Sequence, residues 1–210
     1  MVRSVSPVLP LAVLLVRHGA TEWSVNGRHT GRTDLPLTDE GADQAEALHS
    51  VLARLIASRS SGGVVDPMVF TSSLQRARDT AIRAMPGAEM EETHLLLEVD
   101  YGRFEGLRND EIRDLRGSEW SVFQHGADGG ESVAAIVARC DSFIAKLERV
   151  AGGRVVVAFT HGHLSRFLTA RLLGLPASAG VRFYNDTGTV AVIEQRRDAL
   201  TLTGWNIRPL

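Results

Sequence analysis

The chain has 210 residues, 44% hydrophobic and 23% charged, a balance that suits an ordinary globular protein and excludes a disordered or fibrous one. Its net charge of −2 excludes the global basic field that draws nucleic acid or an anionic membrane. A single cysteine, Cys140, excludes an intrachain disulfide and a thiolate metal cluster.

The elements alternate along the chain. Val8 to Val16 is apolar and close to the N-terminus, yet it is short, holds Pro10 and runs straight into Arg17-His18. It therefore reads as a first strand, "LAVLLV", and not as a signal peptide. "LTDEGADQAEALHSVLARLIAS" opens on the capping residue Thr38 and sets Ala45, Leu48, Leu52 and Leu55 on one helical stripe that ends at "SRSSGG". "PMVFTSS" reads as a second strand and "LQRARDTAIRAM" as a helix stopped by Pro86-Gly87. "THLLLEV" reads as a third strand or extended segment, and a short helix starts at Asn109. "SVAAIVARCDSFIAKL" places Cys140 at helical spacing with Ile136, Val137 and Phe143, as core filler. "RVVVAFT" is another continuous apolar strand, followed by the helix "LSRFLTARLLG" and a closing hairpin of "TVAVIEQ" and "ALTLTGW". No run approaches membrane-spanning length.

This alternation predicts an α/β fold, a three-layer α/β/α sandwich around a mainly parallel central sheet. Residues 1–210 read as a single domain with a small cap excursion at about 104–131. Ligands of such sheets bind at the carboxyl ends of the strands. On that rule, four strand ends deliver Arg17-His18-Gly19, Ser72-Ser73 with Arg76 just beyond, Glu98, and His161-Gly162-His163 to one edge.

A lone histidine at a strand end is ordinarily structural, but two histidines with two arginines and a glutamate form a site. Two guanidiniums in a small site suit a dianionic phosphate, which accepts bidentate bonds. A neutral imidazole is a competent nucleophile toward phosphorus, and nearby Arg charges depress its pKa so that the lone pair stays free. Its other ring nitrogen needs one fixed tautomer, which a backbone carbonyl near Gly19 supplies most simply. Glu98 is placed to protonate a leaving oxygen.

At this point the chain resembles the histidine phosphatase superfamily, also called phosphoglycerate mutase-like. The resemblance lies in "LLVRHGATEWS", "HTGRTDLPLTDEG", "FTSSLQRARDTA", "LLLEVDYGRFEG" and "FTHGH", which span residues 14 to 163 in the family's order. It implies that His18 becomes a phosphohistidine, that Arg17, Arg76 and His161 neutralise the phosphoryl oxygens, and that Glu98 is first the acid and then the base for water. Ser24, Thr30 and Gly31 are implied phosphate-loop contacts, and Tyr101 and Gly162 complete the substrate-binding set. Ala20 stands where the family tolerates Glu, Ser73 where it often has Pro, and His163 in a position the family fills variably, suited to a rim.

The resemblance covers hydrolases and mutases. A glycolytic-type mutase carries an Arg after the acid glutamate and an Arg pair in a longer insertion; here Val99 follows Glu98 and "EWSVFQHGADGG" is short, so a phosphatase is expected. Arg103, Arg108, Arg113 and Arg116 read as a solvated face. A phosphoglycerate-type mutase and a non-catalytic phospho-ligand module are the alternatives. A metal hydrolase on His18, His161 and His163 is disfavoured by the flanking arginines.

The expected partner is thus a small phosphomonoester such as a sugar phosphate, with no nucleic acid, membrane, cofactor or metal, in a cytoplasmic protein. Monomer and homodimer both stay open. Trp23 either lines the entrance or packs the loop, and Trp120, Phe123 and His125 form either a lid with a polar tip or a hydrophobic plug.

Overall fold

A computed structural model describes residues 10–59, 66–197 and 199–209. Val8, Leu9 and most of "SRSSGG" lie outside the described residues. A six-stranded sheet runs in the order β3-β2-β4-β1-β5-β6. Its strands are β1 (Ala12–Arg17), β2 (Met68–Thr71), β3 (Met90–Glu92), β4 (Val155–Thr160), β5 (Val190–Arg196) and β6 (Ala199–Ile207). The first four are parallel to one another, and the β5–β6 hairpin joins antiparallel along β1.

The central strands lack polar alternation because both of their faces are buried. In β1, Val13 and Leu15 pack into one core with Phe70, Phe143, Val156 and Phe167, while Leu14 and Val16 pack into a second core with Leu48, Leu52, Val157 and Phe159. Helices α2 (Asp39–Ala57) and α3 (Gln75–Ala84) cover the second face. Helices α6 (Val133–Val150) and α7 (Gly162–Leu172) cover the first. The Thr38 hydroxyl caps α2 by accepting from Gly41 N at 3.1 Å. In α6 the residues Ile136, Cys140, Phe143 and Leu147 are buried, the i, i+4, i+7, i+11 stripe of a helix lying on a sheet.

Two sequence readings need correction. "THLLLEV" is not a strand: the third strand is Met90–Glu92, and His94–Leu96 form a 3-10 turn whose start is capped by the Thr93 hydroxyl. Leu96 is fully buried in the first core, so the apolar run reports burial without pairing. Glu98 therefore reaches the site from a loop, not from a strand end. In addition, a one-turn helix, α1 (Glu22–Val25), is closed by a reciprocal Thr21–Ser24 capping box.

The stretch 104–131, expected from the sequence to form a cap, holds α4 (Asn109–Arg116) and α5 (Val122–His125). Trp120 and Phe123 are buried and His125 is exposed on the outer surface, which decides for the plug over the lid. Trp23 packs on Gly106, so it serves the loop.

The loop after β1 sits tightly on α2. A Cβ on Gly41 would lie 2.0 Å from the Ala20 carbonyl oxygen, and one on Gly19 would lie 2.2 Å from the Gly41 carbonyl oxygen. Only paired glycines allow this approach, which seats the chain segment bearing His18.

Candidate active site

A cavity of about 400 Å³ opens at the carboxyl ends of β1 and β4. His18 lies in its wall, one residue past β1, with its Nδ1 2.7 Å from the Gly19 carbonyl oxygen. A carbonyl only accepts, so Nδ1 carries the proton and Nε2 keeps its lone pair. Burial, reinforced by the Arg76 and Arg17 charges, holds the ring well below the ordinary imidazole pKa, so it is uncharged at neutral pH. An uncharged ring of one tautomer, mounted on a strand, is a positioned nucleophile.

Arg17 also lines the cavity. Its Nη1 donates to the Asn185 carbonyl at 2.7 Å, while its buried Nε has no acceptor among the described residues. The guanidinium lies against Gly162, where a Cβ would be 3.2 Å from Cζ, so a side chain there would push it by a few tenths of an ångström.

Arg76 and His161 are fully buried and stand behind the cavity lining. The Arg76 Nε donates to His161 Nδ1 at 3.2 Å. Arg76 Nη1 donates to the Thr33 carbonyl, and Nη2 donates to those of Thr30 and Gly31. Four of its five N–H groups are thus committed, leaving one on Nη1. Because His161 Nδ1 accepts, its Nε2 carries the hydrogen and donates to Ser72 Oγ at 2.8 Å. The two histidine rings meet edge to face with centroids 5.1 Å apart.

Glu98 lies in the cavity wall as the leading charge partner of Arg17 and Arg76, and it is held by backbone donors. Val99 N and Leu164 N each donate to Oε1 at 2.9 Å, and His163 N donates to Oε2 at 3.0 Å. Two of these donors belong to the first turn of α7, so the carboxylate also caps that helix. The segment before Glu98 is gripped by Arg139 of α6, which donates to the Leu95, Leu97 and Glu98 carbonyls and forms a two-pronged pair with Glu131.

Of the residues implied as substrate contacts, Ser24, Thr30, Tyr101 and Gly162 line the cavity. The Ser24 hydroxyl is engaged in the α1 capping box, donating to the Thr21 carbonyl. Gly31 is absent from the lining; its N–H donates to Glu105 Oε1, which also accepts from Thr33 N and so ties down the loop that holds Arg76. Arg32 pairs with Asp100 and Glu131.

Sequence reasoning missed Arg28, Asn109, Arg166, Tyr184 and Asn185 in the lining, and Arg139 behind it. Arg166, five residues after His161 on α7, donates to the Gly180 and Val181 carbonyls and stacks over Phe123 at 4.5 Å. Burial lowers its pKa to about 10. The spacing from His161 along one helix was its only signal. Among the described residues, no group of three His, Cys, Asp or Glu is placed to hold a metal ion, and no helix is long and apolar enough to cross a membrane.

Comparison with known proteins gives the site its setting. The chain is 40% identical over 181 residues to an acid phosphatase of Mycobacterium tuberculosis, covering 86% of this chain and 84% of that protein. It is 31% identical to sedoheptulose 1,7-bisphosphatase of Saccharomyces cerevisiae, covering 80% of this chain and 70% of that one. It is also 31% identical to a 2,3-bisphosphoglycerate-dependent phosphoglycerate mutase of Parvibaculum lavamentivorans, over 89% and 91% of the two chains. A solved structure of an open reading frame product of Mycobacterium tuberculosis superposes with a TM-score of 0.87 at 36% identity, covering 95% of this chain and 98% of that one. The family profile matches residues 13–208, and the chain belongs to the histidine phosphatase superfamily (branch 1).

Proposed function

We propose that this protein is a metal-independent phosphomonoesterase for small phosphorylated metabolites, working through a phosphohistidine on His18. The observation that carries the reading is the His18 ring itself: neutral, of one tautomer, with a free Nε2 in a cavity walled by Arg17 and Glu98. The named relatives that act on small phosphate esters support the substrate class.

In the first step the His18 Nε2 lone pair attacks phosphorus, the ester P–O bond breaks, and the Glu98 carboxyl proton passes to the departing alkoxide oxygen. In the second, the Glu98 carboxylate takes a proton from water, the water oxygen bonds phosphorus, and the P–N bond breaks. Inorganic phosphate leaves, with His18 neutral and Glu98 protonated again. Glu98 Oε2, with a single backbone donor, is the oxygen that exchanges the proton.

Arg17 meets the phosphoryl oxygens, and its unpaired Nε finds an acceptor when an anion lies beside Gly162. Arg76 contributes its charge and its one uncommitted N–H, and it fixes both His161 and the 30–33 loop. Thr30 and Gly162 border the phosphoryl site, while Gly31 serves it through its carbonyl on Arg76. The arrangement stabilises charge on the equatorial oxygens, which is most of what phosphoryl transfer requires. The cytoplasm is its expected compartment, in line with a chain that forms no internal disulfide.

The test is phosphate release in EDTA from a panel of sugar, glycerate and aryl phosphates, comparing the wild type with His18→Ala. Metal-free release that drops by about a thousandfold or more in the variant is the expected result. Release that persists in the variant, or needs metal, overturns the phosphohistidine route.

A further inference from the structure

Two imidazoles in the cavity wall take no part in the phosphoryl chemistry just described. His29 follows α1, and His163 is the second residue of α7. Their rings are stacked, with centroids 5.5 Å apart and planes 13° from parallel. His29 Nδ1 lies 3.1 Å from the Leu107 carbonyl oxygen, so Nδ1 carries the proton and Nε2 is an acceptor. His163 Nδ1 meets the Tyr101 hydroxyl. That hydroxyl has no other acceptor among the described residues, so its proton goes to Nδ1 and leaves the hydrogen of His163 on Nε2.

All three groups are uncharged. Burial lowers the His29 pKa, outweighing the Leu107 bond. Burial, followed by His29 and Arg166, lowers that of His163 well below the ordinary value. Burial likewise pushes the Tyr101 hydroxyl well above its usual pKa. Neither Nε2 has a partner among the described residues, although His29 is buried, His163 is half-buried and both line the cavity. The two rings therefore offer one acceptor and one donor, uncharged themselves, within a lining that also holds Arg28 and Arg166.

This pairing discriminates among ligand groups. At these two nitrogens a carboxylate or second phosphate lacks a second donor and meets the His29 lone pair, whereas Arg28 and Arg166 elsewhere in the lining are the groups suited to such an anion. An alkyl chain would leave two buried polar atoms unmatched. A hydroxyl donates to one ring and accepts from the other. Ring centroids 5.5 Å apart lie within the span of two hydrogen bonds of about 2.9 Å, which matches the pair to one hydroxyl or a vicinal pair.

We propose that His29 and His163 form a hydroxyl-recognition subsite, so that the protein selects phosphate esters of polyols, sugar phosphates among them, over alkyl or aryl esters of similar size. The proposal rests on the phosphatase reading and specifies its substrate class. Tyr101 is a positioning residue here, fixing the His163 tautomer.

The experiment compares kcat/KM for glycerol 1-phosphate and propyl phosphate, a matched pair that differs only in hydroxyls. It uses the wild type, His29→Phe and His163→Phe, which keep an aromatic ring but lose the nitrogens. The wild type is expected to prefer the polyol ester by at least about tenfold, and each variant to bring that ratio close to one. A wild-type ratio near one, or a preference that survives both substitutions, overturns the subsite. Competitive inhibition of the wild type by free glycerol against 1-propanol repeats the comparison without any substitution; equal inhibition also overturns it. If the folded wild type releases phosphate from neither ester, nor from any other, the phosphatase reading has failed first and the subsite falls with it.

Discussion

At the scale of single residues, the site is a set of histidines kept neutral by the fold. His18, His161 and His163 are held well below the ordinary imidazole value and His29 is lowered, in each case mainly by burial. Folded, they take up a proton only at lower pH than an ordinary imidazole; unfolded, they titrate near pH 6.5. Below that pH the unfolded chain binds more protons than the native one, so stability falls on acidification, while above it these groups contribute no pH dependence. The slope is up to about 1.4 kcal/mol per pH unit for each ring that stays neutral. Urea midpoints measured from pH 7.5 to 5 should decline steadily below about 6.5. A flat profile would mean that the rings are protonated in the native state, contrary to the nucleophile described here. Legibility at this scale was uneven. Arg-His-Gly behind an aliphatic run marked His18 plainly, and the carbonyl that fixes its tautomer was predictable as the nearest backbone acceptor, the one next to it in the chain. His29 was legible only as one candidate of the cap, and Arg166 gave no such signal, since neither stands in a pattern that reveals which way its side chain points.

At the scale of elements, Glu98 shows how a helix outside the cavity lining controls the chemistry within it. The loop bearing it has no strand to hold it, and its position is taken from Arg139 on α6, whose planar fork spans the Glu131 carboxylate and three carbonyls. Lysine keeps the charge but cannot make this set of bonds. Arg139→Lys should lower kcat about tenfold or more while KM stays within about twofold, because displacing a proton donor by a fraction of an ångström affects the transition state more than binding. An equal loss in both would indicate a general disturbance of the fold. Arg139 was legible as one turn of a helix whose apolar stripe runs through Ile136, Cys140 and Phe143. Its inward direction was not, because a charged residue next to that stripe ordinarily lies in water. "THLLLEV" misled for a related reason: three leucines in succession announce burial, and burial was mistaken for strand pairing.

At the scale of the whole molecule, the sheet separates two cores that share strands but not side chains. Phe143 meets Phe70 edge to face in one, with centroids 5.6 Å apart, and Leu48 lies in the other. Phe143→Leu and Leu48→Val should each cost about 1 kcal/mol or more, and the double variant should cost their sum within about 0.5 kcal/mol. Chemical denaturation of the four proteins measures this; a coupling well above that margin would mean that strain crosses the sheet. Neither substitution touches the cavity lining.

What the sequence by itself determined is whatever depends on local order: the strand and helix periodicities, the Thr38 cap, and the five motifs whose succession identified the family. These follow from steric and hydrophobic patterns that act over a few residues. What only the tertiary structure decided is which distant groups share a space. Arg76 proved to spend four donors on its own scaffold and lie behind the cavity, Gly31 to serve through its carbonyl, Trp120 and Phe123 to fill the core, and His29 to stack on His163 from 134 positions away along the chain. The direction of a side chain and the partner of a buried donor are set by packing between elements, and sequence spacing does not encode that packing.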